Sequence, residues 1–273
     1  MSTSSASSSF LEEALVSVII PVYNAGRFIK EALGSVVHQS YRNIEVVVFD
    51  DSSDDDSLAV LESFREVFSA CGIRFRIEKS HYPAPKGPGY ARNEAISSSS
   101  GEYLCHLDAD DYMDSRRIEL QLQLALEKGK DCLVGCNFNR LPSDSTPYYT
   151  DWLNSMNDED LVLQQFRECT VICPSWFMHR QVFDKVANHR SRCGTRAFVE
   201  NDVDKILKRI PEDTFFFLDH LQLGGSLSKV PIDLITYRYT PGSWALGTKK
   251  EDLQKVRLRC NILQTSLYCR DCI

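Results

Sequence analysis

No stretch of this sequence approaches the ~20 consecutive apolar residues that span a bilayer. The Ser-rich start, Met1 to Ser9, carries neither the basic nor the apolar segment of a secretory signal. A cytoplasmic protein is the expectation. In that compartment the ten cysteines are free thiols rather than a disulfide frame. Cys132, Cys136, Cys169 and Cys173 fall in apolar stretches, where cysteine packs as a small core residue. Cys269 and Cys272, even with Cys260, are one ligand short of a structural zinc site. Positive charge is not in excess either. With 31 Lys and Arg against 38 Asp and Glu, the net charge of -7 argues against a nonspecific nucleic-acid binder. Two basic stretches stand out, Lys185 to Arg209 and Lys249 to Arg259, and both also read as solvated helix faces. There is no internal repeat, and low complexity is confined to the Ser runs at Ser2 to Ser9 and Ser97 to Ser100.

What is present is enough apolar residue, 43%, to bury a large core. Strand-like and helix-like segments alternate. Val16 to Val22 is a β-branched run closed by turn residues at Asn24 and Gly26, and Phe28, Ile29, Ala32, Leu33, Val36 and Val37 then recur at helical spacing. Ile44 to Phe49 reads as a second strand, followed by a helix through Leu58, Leu61, Phe64 and Phe68, and Ile73 to Ile77 as a third strand. Prolines and glycines from His81 to Gly89 predict a loop before a helix over Tyr90 to Ser97. Ile118 to Leu126 alternates like a strand, but its Leu, Gln, Glu and Ala content behind Asp114 or Ser115 predicts a helix. Leu133 to Asn139 predicts a further strand. This order specifies an α/β fold whose mostly parallel central sheet binds ligand at its carboxyl edge. The expected organisation is a disordered start over residues 1–13, one domain over 14–245 and a short helical tail over 246–273.

The run from Tyr103 to Asp111 ends a buried strand in three carboxylates, Asp108, Asp110 and Asp111. Carboxylates two apart on an extended segment lie on one side, and like charges so close call for a hard cation. Mg2+ or Mn2+ fits, because each binds through one or two carboxylates and leaves room for substrate phosphates. Helix capping by Asp111 or Asp114 fits the same residues, and spacing alone does not choose the metal ligand among the three. A second acidic run, Asp50 to Asp56, also follows a buried strand. Helix capping explains such a run alone; two runs at the ends of two strands of one sheet point into one crevice. A carboxylate there accepts from a uracil N–H or from sugar hydroxyls but repels bare phosphate, which leaves phosphate to a metal and to Lys86 and Arg92.

Val18 to Asn24, Asp50 to Ser53, Gly89 to Asn93 and Asp108 to Asp111, in that order, resemble the signature of family 2 glycosyltransferases with the GT-A fold. The resemblance implies a Rossmann-like sheet with helices on both faces and a small acceptor-side subregion. It also implies a UDP-sugar donor held by Pro21, Tyr23, Asn24, Asp51, Arg92 and Asp108, and a metal on Asp110. A later Glu-Asp pair, here Glu212 and Asp213, supplies in that family the base that deprotonates the acceptor, Asp213, with Glu212 on the acceptor side, where Trp176 suits stacking on a sugar or base and equally suits a buried core position. A helix start rich in acids suits the same pair. Pro85 to Asn93, Pro174 to Phe177, Pro211 to Asp213 and Tyr237 to Tyr239 are similar to a narrower group, the beta-1,3-N-acetylglucosaminyltransferase-like proteins regarded as queuosine-tRNA galactosyltransferases. That likeness implies UDP-galactose as donor and a tRNA anticodon as acceptor. The same chemistry on a glycan or lipid acceptor, and a donor-binding relative without turnover, are the alternatives. Thr240 stands where the family usually carries His.

Overall fold

A computed structural model describes residues 14–165, 167–192 and 212–240. The Ser-rich start, most of the Lys185 to Arg209 stretch, the tail and the Cys260, Cys269 and Cys272 thiols lie outside the described residues. One sheet of eight strands runs through the rest, in the order β3-β2-β1-β4-β7-β6-β8-β5. Its strands are β1 (Val16–Val22), β2 (Ile44–Asp50), β3 (Arg74–Lys79), β4 (Tyr103–His106), β5 (Tyr112–Met113), β6 (Cys132–Leu141), β7 (Phe177–His179) and β8 (Ser226–Arg238). The first four are parallel, β7 runs against β4 and β6, β5 runs against β8, and β6 pairs with β8 in parallel.

Every residue of β2 is buried, which explains a near-continuous apolar run instead of an alternating one. Helix α1 (Ile29–Val37) turns Ile29, Ala32, Leu33 and Val36 inward, the i, i+3, i+4, i+7 stripe of an amphipathic helix. The helix expected through Leu58 and Phe68 is two short ones, α2 (Ser57–Ser63) and α3 (Arg65–Ala70), which meet at Phe64. Helix α4 (Pro88–Ser97) starts two residues before the expected Tyr90, with Pro88 in its first turn after Gly87 at φ 102°. Proline suits that turn, where its missing N–H costs nothing, and glycine suits the left-handed region before it. The ambiguous Leu-rich segment is helix α5 (Arg117–Lys128), burying Ile118, Leu122 and Ala125. Helices α6 (Pro147–Asn154), α7 (Asp158–Leu163), α8 (Arg180–Ser191) and α9 (Glu212–Gln222) follow among the described residues.

Register decides where the chemistry sits. Val22 is level with Asp50, and Ile19 is level with His106, so the residues that follow β1, β2 and β4 emerge at one edge. Leu107 continues the ladder by donating to the Ile19 carbonyl at 3.1 Å, which brings Asp108 beside the β1 end. At the other edge Glu45, 1% exposed, accepts from Ser17 Oγ at 2.7 Å and from Gly101 N at 3.0 Å, tying β1, β2 and the approach to β4 together. No described helix is long and apolar enough to cross a membrane. The described cysteines, Cys71, Cys105, Cys132, Cys136, Cys169 and Cys173, are free thiols.

Candidate active site

The first loop is held from below by the second acidic run. Asn24, left-handed at φ 49°, donates its amide to Ser53 Oγ at 2.9 Å and accepts from Asp54 N at 2.9 Å through Oδ1. Gly26 N donates to Asp55 Oδ2 at 2.9 Å and Ala25 N to Ser57 Oγ at 2.8 Å. These bonds leave Tyr23 half exposed, at 49%, just beyond Pro21 at the end of β1. The acidic run therefore divides its duties: the Asp54 amide and the Asp55 carboxylate, which also accepts Ser57 N at the start of α2 at 2.9 Å, are scaffold, while Asp51 is buried.

Asp51 Oδ2 accepts the amides of Lys86 and Gly87 at 2.8 and 2.7 Å, which pins the loop before α4, while its Oδ1 is buried with no hydrogen-bond partner among the described residues. Burial pushes the Asp51 carboxyl up, and the two amides only partly offset it. Lys86 lies with its ammonium 4.3 Å from the Tyr82 ring centroid, and Tyr82 meets Tyr90 edge to face at 5.9 Å.

Arg92, expected at a donor phosphate, is buried and engaged twice. Its Nη2 donates to Asp108 Oδ1 at 2.6 Å and its Nη1 to Glu212. The guanidinium is thus committed to two carboxylates, because a cation buried this deeply needs opposite charge beside it. Glu212, expected on the acceptor side, is accordingly an Arg92 partner. This bridge crosses from β4's end to α9 and brings Asp213 to the same edge as Asp108. Burial, with Glu212 beside it, pushes the Asp213 carboxyl up to about 7, against the pull of Arg92. Its Oδ1 accepts from Thr214 N at 2.7 Å.

The three carboxylates after β4 do not share one role. Asp108 keeps 26% of its side chain exposed. Asp110 Oδ2 accepts from Thr240 Oγ1 at 2.9 Å, and burial together with Asp108 raises its pKa. Asp111 is wholly buried, with Oδ1 accepting the Arg238 amide at 2.8 Å and Oδ2 lacking a partner among the described residues, and burial with its two neighbours drives it well above the usual carboxylate range. Among the described residues no three His, Cys, Asp or Glu side chains converge as a metal cage.

Trp176, expected on the acceptor side, is a core residue instead: it is 0% exposed, packs on His106, Phe216 and Phe217, and donates its indole N–H to the Val171 carbonyl at 2.8 Å. A fully enclosed ring with its one donor satisfied has no face left for a ligand. Two residues with no assigned role in the sequence reading prove central to the edge. Arg238 joins Asp111, the Asp110 carbonyl at 2.8 Å and Glu31 at 2.9 Å, and buried Arg117 ties the His106 carbonyl at 2.8 Å to Gln121 at 2.8 Å. The Tyr-Arg-Tyr run pointed at Arg238, whereas nothing in the sequence distinguishes Arg117 from a surface helix residue.

The open sheet thus gathers its carboxylates at the carboxyl edge of its parallel strands. Residues 17–187, more than half of the chain, match the family described as glycosyl transferase family 2, and the chain belongs to that family. It is 30% identical over 151 residues to the glycosyltransferase GlyG of Streptococcus pneumoniae, covering 55% of this chain and 48% of that one. It is 33% identical over 122 residues to a poly(ribitol-phosphate) beta-glucosyltransferase of Bacillus spizizenii, covering 44% of this chain and 18% of that one. The chain spans about half or less of the length of these two curated relatives. Among solved structures, S. aureus TarS 1-349 in complex with UDP-GlcNAc superposes with a TM-score of 0.66 at 20% identity, over 88% of this chain and 64% of that one. The fold is therefore the GT-A fold expected from the sequence.

Proposed function

We propose that the chain transfers a hexose from a UDP-sugar to a hydroxyl of a polyhydroxylated glycan acceptor, with inversion at the anomeric carbon. The observation that carries this reading is the Arg92 bridge, which spans from Asp108 on the donor side to Glu212 beside Asp213. Asp51 Oδ1, buried and without a hydrogen-bond partner among the described residues, suits the uracil N–H, and the exposed Tyr23 ring, between Pro21 and Asn24, suits its face. Asp108 and Asp110 fit a Mg2+ or Mn2+ ion: two crowded carboxylates, one raised by the other, leave most of the coordination shell to water and donor phosphates. When bound, such an ion supplies positive charge to the departing diphosphate. Asp213 takes the acceptor hydroxyl proton onto its carboxylate. The acceptor oxygen then bonds to the anomeric carbon as the bond to the β-phosphate oxygen breaks, and that electron pair leaves with UDP. One displacement assisted by one base inverts the centre, and the base is worth typically ~10²–10⁴ in rate.

The names of the relatives support a glycan or polyol-phosphate acceptor. A second reading, galactose from UDP-galactose onto queuosine in tRNA, is supported by the Pro85 to Asn93, Pro174 to Phe177, Pro211 to Asp213 and Tyr237 to Tyr239 motifs. Transfer of labelled galactose, glucose and N-acetylglucosamine from their UDP forms into fractionated extract, with Asp213→Asn as control, tests both. Label in glycan that vanishes in the variant supports the first, and label in tRNA the second. Absence of label from every donor refutes the transferase reading.

A further inference from the structure

Beside the carboxylate edge, aromatic and cationic side chains form a continuous ladder. The β6–β8 pairing sets Arg140 against Tyr237, and the guanidinium lies 4.3 Å from the Tyr237 ring centroid. Tyr237 meets Phe138 at 6.0 Å, Phe138 meets Tyr149 at 6.4 Å, and Tyr149 meets Trp152 at 6.2 Å. Arg167 closes the far end, 5.1 Å from the Trp152 ring. Phe138 is buried and anchors the row, while Tyr149, Trp152 and Tyr237 are only partly buried.

Neither terminal arginine has a carboxylate partner among the described residues. Arg140 Nε donates to Thr146 Oγ1 at 3.0 Å and Arg167 Nη1 to Gln164 Oε1 at 3.2 Å, both neutral. Arg92 and Arg238, by contrast, are paired with acids. The ladder borders the proposed base. Burial and then the charges of Asp111, Asp108 and Asp213 push the Tyr237 phenol up, and Cys169 Sγ, two residues beyond Arg167, lies 3.6 Å from Thr214 Oγ1 next to Asp213.

We infer that this ladder is the acceptor subsite of the transferase proposed above, and that it takes a polyol joined by phosphodiesters. Ring faces cover the apolar face of a sugar, polyol or base, while guanidinium planes, weakly hydrated and forked, meet phosphate in pairs of hydrogen bonds. A neutral glycan has no use for the two arginines. An RNA strand and a poly(ribitol phosphate) chain share the required chemistry.

The test is direct binding to the full chain without donor, so it does not depend on turnover. Poly(ribitol phosphate), bulk tRNA and neutral maltoheptaose are titrated at about 50 and 200 mM salt against the parent, R140M/R167M and R140K/R167K, with UDP binding as the check of folding. The expected result is that one of the two polymers binds the parent, identifying the source of the phosphodiester. Its affinity falls at least ~tenfold in R140M/R167M and its salt dependence flattens, while R140K/R167K keeps most of both. Equal polymer binding by the parent and R140M/R167M overturns the inference, as does failure of both polymers to bind or equal loss of maltoheptaose. Polymer binding that follows the arginines without any sugar transfer would overturn the transferase reading and leave the subsite standing.

Discussion

Asp213→Asn should remove most of the transfer activity and, above neutral pH, make the protein more stable. The parent carboxyl sits at about 7 against an ordinary 3.8, because burial and Glu212 oppose its ionisation. The native state thus holds this proton more tightly than the unfolded chain does. The resulting stabilisation is complete below about pH 4 and is lost as pH rises through about 7. At about 1.4 kcal/mol per pH unit, the climb from 3.8 to about 7 corresponds to a ceiling of about 4 kcal/mol, reduced by whatever water reaches this half-buried group. Asparagine does not ionise and escapes the loss. Urea unfolding of parent and variant, without nucleotide, should give similar stabilities near about pH 4 and a gap that widens in favour of the variant until it levels above about pH 7. Transfer by the parent should rise about tenfold per pH unit below about 7, as a base with that pKa requires, and the variant should lose ~10²–10⁴ in kcat. A gap that does not change with pH, or a variant less stable than the parent at about pH 8, would refute the argument. Asp213 would then ionise at an ordinary value and the crowding described above would carry no energy.

Glu212→Gln should move the acidic limb of the transfer profile to lower pH, since one of the charges opposing Asp213 is gone, whereas Arg92→Met should move it upward. Arg92→Met should also cost roughly 3–5 kcal/mol in denaturant unfolding, because it strands Asp108 and Glu212 beside each other without their cation. Gly101→Ala should lower the melting temperature by an amount equivalent to roughly 1–3 kcal/mol. Its Cβ would lie 2.4 Å from Ser17 Oγ and 2.6 Å from Ser17 N, and the backbone of a central strand has little room to retreat. Trp176→Phe should loosen the core but leave the acceptor KM unchanged; a raised KM with a normal melt would return Trp176 to the acceptor side.

Much of the edge was legible because the signals were local. Each β-branched run followed at once by Asp, Ser or Asn marks a strand end, and strand ends in a parallel sheet share one side. The Leu-rich segment from Arg117 was legible from composition, since its alternation also suited a strand. The roles of Arg92, Trp176 and Glu212 were not legible, because each depends on what lies opposite it. An arginine before a strand looks the same whether it reaches phosphate or two carboxylates, and a tryptophan looks the same with its face open or covered.

By itself the sequence determined the α/β order of elements, the two acidic turns and the residues available at them, since periodicity and turn chemistry act over a few neighbouring residues. The tertiary structure alone decided that Asp54 and Asp55 hold the first loop while Asp51 buries one oxygen without a hydrogen-bond partner among the described residues, and that Arg92 joins α9 to the end of β4. It also decided that Asp111 is sealed under Arg238 while Asp108 keeps contact with solvent. The physical reason is that burial and charge pairing are set by contacts between segments distant in the chain, Arg92 with Glu212 and Asp111 with Arg238, and these exist only once the sheet has brought those segments to one edge.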